Sequence, residues 1–268
     1  MNLETLLTDL QAESASLRSM VGAAGPDALP RATPAAGWTI AHQLAHLTWT
    51  DEMACSAIAS VVPTVAAPRD WERALAEAAA SPDTFVDDGA AELARAEPTE
   101  LLTRWDNGRA LLLAALRATP PDVRIPWYGP PMKATSMVTA RIMETWAHGL
   151  DVAAALGVEP ERTDRVRHVC HIGVATRAFV YAARGLPTLE EPVRVTLTAP
   201  SGDTWTWGDP SAIHEISGDA WEFAQVAVRR LHPDDTSLVA TPGVAREWLN
   251  IIQAFAGPPG SDPERKTR

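Results

Sequence analysis

Apolar residues recur at steps of three and four along the first 185 residues, which is the spacing of amphipathic helices. The pattern predicts helices over residues 3–22, 40–62, 99–116, 136–156 and 164–183, with two weaker, peripheral ones over 70–80 and 84–96. Thr39 is placed to cap the second of the long helices, and Gly157 to stop the helix that begins at residue 136. The segment therefore has the pattern of a helical bundle.

The pattern changes near residue 190. Residues 193–198 and 204–207 alternate apolar and polar side chains around a Pro-Ser-Gly-Asp turn, which predicts a β-hairpin. Helical patterns return near residue 221 and from 244 to 255, after which the pattern is lost. The predicted fold is mainly α, with the bundle in residues 1–185, a smaller C-terminal α+β domain in 190–258 and a disordered tail over 259–268.

Composition and charge narrow the class of protein. The 268 residues are 46% hydrophobic and 21% charged, an ordinary balance for a folded globular protein. A formal net charge of -11 without a basic stripe disfavours nucleic-acid binding, and the apolar runs are too short for a membrane span. The two cysteines, Cys55 and Cys170, do not form a CxxC motif, which fits a reducing cytoplasm. We therefore expect a cytoplasmic protein with small-molecule ligands, in which any metal is bound by histidine and carboxylate.

The spacing of Glu144 and His148 is the strongest chemical signal. Residues four apart lie on one face of a helix, and an earlier helix could bring His46 to them across a bundle core. All three have apolar neighbours, so we expect them to point inward, where polar groups need partners. Two imidazoles and a carboxylate suit zinc, nickel or iron(II) better than magnesium, and three protein ligands leave the open positions of a catalytic site. By spacing alone His42, one turn before His46, is an equal candidate.

Other residues near these ligands are candidates for catalysis or substrate binding. Asp151 and Arg141 lie on the same predicted helix and could orient the ligands, or form an ordinary surface ion pair. The loop that carries Trp127 and Tyr128 could cover the metal, or only close the end of the bundle. Candidate catalytic residues are therefore Asp151, Arg141 and Tyr128, and candidate pocket residues are His42, Trp49, Trp127 and Trp146, although most tryptophans are expected in the core.

Two strings of the sequence resemble a known family. Residues 37–47 (GWTIAHQLAHL) and 140–152 (ARIMETWAHGLDV) are similar to the DinB/YfiT-like metalloenzymes. More narrowly they resemble the mycothiol-dependent maleylpyruvate isomerase family, in an actinobacterial branch of metal-binding proteins that shares the WYGPP string at residues 127–131. The resemblance covers most of residues 1–185, and residues 190–258 are similar to the family's sterol-carrier-like C-terminal module.

This resemblance implies a DinB-like four-helix bundle with one divalent ion held by His46, Glu144 and His148, which favours His46 over His42. It also implies mycothiol as a cosubstrate. The favoured hypothesis is a metal-dependent enzyme, with zinc as the first candidate metal, that catalyses a mycothiol-dependent isomerase or transferase reaction on a small metabolite. The alternatives are a thiol-independent lyase, cyclase or hydrolase, and an apolar small-molecule-binding protein with a non-catalytic metal. The sequence names no substrate and leaves the oligomeric state open, with a homodimer as one candidate.

Overall fold

Four long helices form a bundle at the start of the chain, in a computed structural model that describes residues 2–187, 190–257 and 262–265. They are α1 (Leu3–Ala24), α2 (Ile40–Ala59), α5 (Pro98–Ala118) and α6 (Ala134–Leu156), and two shorter helices, α3 (Trp71–Ala80) and α4 (Phe85–Leu93), come between α2 and α5. α2 packs against α5 and α6, α1 packs against α5 and α6, and α3 and α4 lie against α2. The predicted bundle is confirmed, and the acid-rich segment between residues 63 and 98 is peripheral to it.

The bundle is held together by apolar side chains that each helix presents at helical spacing. Leu7, Leu44, Trp105 and Ile142, one from each long helix, are fully buried, and burial of such a side chain contributes about 1.5–3 kcal/mol. The start of α2 is fixed by a capping box, in which the Thr39 side chain accepts a hydrogen bond from the backbone of residue 42 and the imidazole of that residue accepts one from the Thr39 N–H. The packing of the bundle and this cap together determine which side chains of α2 face α6.

Residues 161–268 form a second unit, separate from residues 1–160. Its elements are α7 (Val166–Ala175), α8 (Arg177–Ala183), β1 (Val193–Thr198), β2 (Thr204–Trp207), β3 (His214–Asp219), α9 (Ala220–Ala227), β4 (Val239–Ala240) and α10 (Val244–Ile251). The sheet has the order β2-β1-β3-β4, with β1 antiparallel to β2 and parallel to β3, and β3 antiparallel to β4. No helix among the described residues is both long and apolar enough to cross a membrane.

The second unit differs from the expectation in two respects. The helix expected over residues 164–183 is broken at Thr176, whose hydroxyl donates to the Gln253 carbonyl at 2.7 Å. Both resulting helices belong to the second unit, because α7 packs on α9 through buried residues such as Cys170, whose thiol donates to the Ala220 carbonyl at 3.3 Å. The units therefore divide at residue 160 rather than at 185.

The hairpin is confirmed at the residues expected, with Val195 paired to Trp207. Strand β3 is missing from the sequence-based prediction, because Ile216 is its one buried residue and the segment lacks clear alternation. The tail predicted as disordered, residues 259–268, lies outside the described residues except at 262–265, which have no regular secondary structure.

Candidate metal centre

Three donor side chains converge between α2 and α6. His46 comes from α2, and Glu144 and His148 from α6; each offers one ligand atom, and these atoms all lie within 4.8 Å of one another. Glu144 Oε2 lies 3.3 Å from Nε2 of His46 and 3.3 Å from Nε2 of His148. We call these three residues the ligand cluster. His42 is not part of it, and its Nδ1 lies beside Thr39 at the start of α2.

The geometry and chemistry of the ligand cluster fit a divalent ion. Two ligand atoms about 2.0–2.2 Å from a tetrahedral ion lie roughly 3.3–3.6 Å from each other. Glu144 Oε2 lies 3.3 Å from each Nε2, and all three ligand atoms lie within 4.8 Å of one another. Two imidazoles with one carboxylate are the donors that zinc, nickel and iron(II) accept. Three protein donors would leave at least one position for a substrate or water.

Burial sets the protonation of the ligand cluster. His46 is 8% exposed, and burial, helped by the nearby His148 and Arg141, lowers its pKa to about 4. Burial alone would raise the pKa of Glu144, but the two imidazoles beside it hold that pKa well below its usual range. At neutral pH the cluster therefore contains a neutral His46 and an ionised Glu144, which are the forms that bind metals.

Gln43, which was not among the predicted site residues, contacts the ligand cluster. Gln43 is fully buried on α2, and its Oε1 lies within hydrogen-bonding distance of His148 Nδ1. Its Nε2 donates to the Thr33 hydroxyl at 2.9 Å. The Trp38 ring stacks on the His148 ring at 6.0 Å between centroids and lies 5.5 Å from that of His46. A polar residue in an apolar helix, one turn before His46, was the signal that could have identified Gln43.

Arg141 lies in a separate polar cluster on the same two helices. Its Nε donates to Asp51 Oδ1 at 2.8 Å and its Nη2 to the Thr50 hydroxyl at 2.7 Å. Arg109 of α5 adds a second guanidinium, 4.0 Å from Asp51 Oδ2 and 3.4 Å from the Thr145 hydroxyl. We call these five residues the arginine cluster.

The arginine cluster lies inside the bundle. Asp51 is 1% exposed, Arg141 3% and Arg109 8%. Arg141 therefore does not form the surface ion pair that was the alternative expectation. Its guanidinium is bound to Asp51 and Thr50 on the neighbouring helix, while the other candidate on α6, Asp151, is buried three residues after His148.

The aromatic loop before α6 packs on the peripheral helices. The Tyr128 ring is parallel to that of Trp49 at 6.5 Å, and Trp127 stacks on Trp71 at 6.0 Å. Phe85 of α4 completes the group, 5.0 Å from Tyr128. The Tyr128 hydroxyl is buried without a hydrogen-bond partner among the described residues, and burial raises its pKa to about 12.

A cavity of about 540 Å³ opens beside this aromatic group, between α2, α3 and α4. Of the four candidate pocket residues Trp49 lines it, together with Phe85 and the charged side chains of Arg69 and Arg73. Trp146 is 4% exposed, as expected of a core residue. The other three candidates, His42, Trp127 and Trp146, are not among the residues that line this cavity.

The fold and the ligand cluster define a helical-bundle protein with a three-donor candidate metal centre. The chain belongs to the family described as the mycothiol maleylpyruvate isomerase N-terminal domain, whose sequence pattern matches residues 10–153. Two uncharacterized proteins of Mycobacterium tuberculosis, from strains CDC 1551 and H37Rv, are each 44% identical over 254 residues, covering 95% of this chain and 96% of the relative.

Two solved structures share the fold. They are crystal structures of the mycothiol-dependent maleylpyruvate isomerase and of a histidine-to-alanine mutant of that enzyme. Their TM-scores are 0.60 and 0.61 at 16% and 17% identity, and each match covers 91% of this chain and 94% of the other. At these identities the likeness concerns the fold, while the family is named after an isomerase, which supports the prediction of an enzyme.

Proposed function

We propose that this protein is a divalent-metal-dependent enzyme that acts on a small metabolite, with His46, Glu144 and His148 as the metal ligands. The observation that carries the proposal is the convergence of their three ligand atoms within 4.8 Å. The neutral His46 and the ionised Glu144 support it, because a metal needs both in these forms. Zinc is the first metal to test, with nickel and iron(II) next.

The reaction we propose is an isomerisation or group transfer with mycothiol as cosubstrate. Membership of a family named after a mycothiol-dependent isomerase supports it. A bound divalent ion would lower the pKa of a thiol or water, or polarise a substrate carbonyl. The protein's own contribution is to hold the three donors on two packed helices and to cover the imidazoles with the Trp38 ring, which limits access of water.

Metal analysis of matched histidine variants tests the site. We expect purified wild-type protein to contain close to one equivalent of metal, and His148→Ala to lose it, because one of three ligands is gone. His42→Ala is the matched control, since His42 lies one turn from His46 but outside the ligand cluster. A His148→Ala variant that retains the metal content of wild type would show that the ion is bound elsewhere.

Turnover assays test the reaction. Maleylpyruvate, the substrate in the name of the structural relatives, is the first compound to offer, with and without mycothiol. Mycothiol-dependent turnover that disappears with His148→Ala supports the proposal. Turnover of any substrate in thiol-free buffer would favour the lyase, cyclase or hydrolase alternative. Ligand binding that survives removal of the metal, without turnover, would favour the binding-protein alternative.

A further inference from the structure

A chain of hydrogen bonds runs from the loop before α2 to the ligand cluster. The Trp38 carbonyl can only accept, so the Thr33 hydroxyl, 3.0 Å away, donates its proton there. Because that hydroxyl has a single proton, it must accept at its other contact, from Gln43 Nε2 at 2.9 Å. The Trp38 carbonyl therefore fixes which end of the Gln43 amide points toward α6.

With its Nε2 toward Thr33, Gln43 presents Oε1 to His148 Nδ1. A carbonyl oxygen only accepts, so whenever the imidazole is neutral Nδ1 must carry the proton and Nε2 must carry the lone pair. That lone pair faces Glu144 Oε2 at 3.3 Å. We propose that Gln43 is a positioning residue that holds His148 in the Nδ1–H tautomer. It thereby keeps two acceptor atoms, His148 Nε2 and Glu144 Oε2, turned toward each other.

The alternative tautomer shows what Gln43 prevents. Without an acceptor at Nδ1, His148 could place its proton on Nε2 and donate it to Glu144, which would close the ligand cluster with an internal hydrogen bond. His46 lacks an equivalent restraint, because its buried Nδ1 has no hydrogen-bond partner among the described residues. The two imidazoles are therefore unequal: His148 has the Gln43 carbonyl beside its Nδ1, whereas the acceptor beside His46 is Glu144 Oε2, 3.3 Å from its Nε2.

The surroundings of Gln43 suit this role. Its side chain is fully buried, so water does not compete for Oε1, and an unsatisfied amide there would be costly. The Trp38 ring lies over the His148 ring with an interplanar angle of 17°. The same loop thus restrains the imidazole from its face through Trp38 and from its edge through Thr33 and Gln43. The consequence for metal affinity rests on the proposed function, whereas the tautomer does not.

The position of the proton is measured in the metal-free protein by 15N NMR of labelled histidine, with His148 assigned by comparison with His148→Ala. We expect the proton on Nδ1 in wild type and on Nε2 in Gln43→Met, which keeps the volume of the side chain but removes the acceptor. Gln43→Glu retains an acceptor oxygen and should retain the Nδ1–H form. A wild-type His148 protonated on Nε2 overturns the proposal, and this result does not depend on the folding of either Gln43 variant.

The affinity for Zn²⁺, measured by competition with a chromogenic chelator, tests the consequence. Loss of a residue that orients a ligand typically weakens metal binding about 10- to 100-fold, which we expect for Gln43→Met, with Gln43→Glu restoring most of the affinity. The control is Thr48→Val, a fully buried position on α2 whose hydroxyl donates to the Leu44 carbonyl at 2.8 Å. Equal Zn²⁺ affinity of Gln43→Met and Thr48→Val contradicts the positioning role. A wild-type protein that binds no Zn²⁺ contradicts the proposed function instead, and the tautomer measurement then decides the role of Gln43.

Discussion

The ligand cluster and the arginine cluster both have residues on α2 and α6, and the arginine cluster also includes Arg109 of α5. The two clusters use their buried polar groups differently. In the ligand cluster two imidazoles and a carboxylate converge with Nε2 and Oε2 atoms 3.3 Å apart. In the arginine cluster the charged groups pair with one another: Arg141 donates to both Asp51 and Thr50, and Arg109 Nη1 lies 4.0 Å from Asp51 Oδ2 without a hydrogen bond between the two atoms. Buried polar groups can thus be kept for a ligand or used to join helices, and burial alone does not show which.

The two clusters are also coupled through charge. The arginine cluster has two guanidiniums and one carboxylate, and burial lowers the pKa of Arg109 although the charge of Asp51 opposes this. The charge of Arg141 reaches His46, where it helps to lower the pKa. Burial is the main cause of the low pKa of His46, and the positive charge of Arg141 adds to it, which favours the neutral imidazole that can bind a metal.

Removing the carboxylate of the arginine cluster should have the largest effect on the free energy of unfolding. Asp51→Ala leaves two buried guanidiniums without their counter-charge, and breaking a buried ion pair in this way costs about 3–5 kcal/mol. Urea unfolding of the metal-free protein at pH 7 measures the loss. The control is Asp106→Ala, which removes an exposed pair with Arg18 and should cost less than about 1 kcal/mol. Similar costs for the two variants would mean that the arginine cluster does not join α2 to α6.

Glu144→Gln should weaken Zn²⁺ binding more than it destabilises the metal-free protein. It removes the charge of the ligand cluster with little change of shape, so we expect Zn²⁺ affinity to fall by more than about 100-fold, beyond the effect of a residue outside the ligand set. The unfolding free energy of the metal-free protein should fall by less than in Asp51→Ala, because the Glu144 side chain is 22% exposed whereas Asp51 is buried. Chelator competition and urea unfolding measure the two quantities. Unchanged Zn²⁺ binding would separate Glu144 from the metal.

Acid should weaken the metal-free protein through the ligand cluster. The folded-state pKa of His46 is about 4, below the ordinary value of 6.5, so between these two values the unfolded chain binds a proton that the folded protein does not. Stability is therefore fully present above pH 6.5 and is lost as the pH falls toward 4, by on the order of 2 kcal/mol. The lowered pKa of Glu144 acts in the same direction at lower pH.

The variant His46→Gln separates this effect from the arginine cluster. Guanidiniums stay charged between pH 7 and 4, so Arg109 and Arg141 do not contribute to the change of unfolding free energy with pH. Unfolding free energies measured at intervals from pH 7 to 4 should show a steep decline in wild type and a flatter one in His46→Gln. An unchanged decline in the variant would assign the acid sensitivity to other groups.

Local patterns were sufficient to predict the helices, the hairpin and the spacing of the candidate ligands. Glu144 and His148 share a helix face whatever surrounds them, and the hairpin strands alternate clearly. Contacts that depend on how one helix lies against another were not predictable. Asp51 as the partner of Arg141 and Gln43 as the partner of His148 both require the register of α2 against α6.

The second unit shows the same limit. The periodicity of residues 164–183 predicts helix correctly but contains nothing to show that the buried face of α7 packs on α9. Strand β3 pairs in parallel with β1, so its existence depends on a neighbour earlier in the chain and not on a local turn. Sequence patterns predicted the helices and the hairpin, whereas strand β3 and the assignment of elements to units come from the tertiary structure.

The smallest effect we expect tests whether adjacent residues belong to different clusters. Thr145 follows Glu144 directly, but its hydroxyl donates to the Arg141 carbonyl at 2.8 Å and accepts from Arg109 Nη2 at 3.4 Å. Thr145→Val should therefore lower the unfolding free energy by about 1 kcal/mol, the usual net value of such bonds, and leave Zn²⁺ affinity within about twofold of wild type. Thr145→Val should therefore keep the affinity for Zn²⁺ that Glu144→Gln loses. Weaker Zn²⁺ binding in Thr145→Val would mean that the two clusters act as one unit, because the arginine cluster would then be setting the position of the ligands as well as joining the helices.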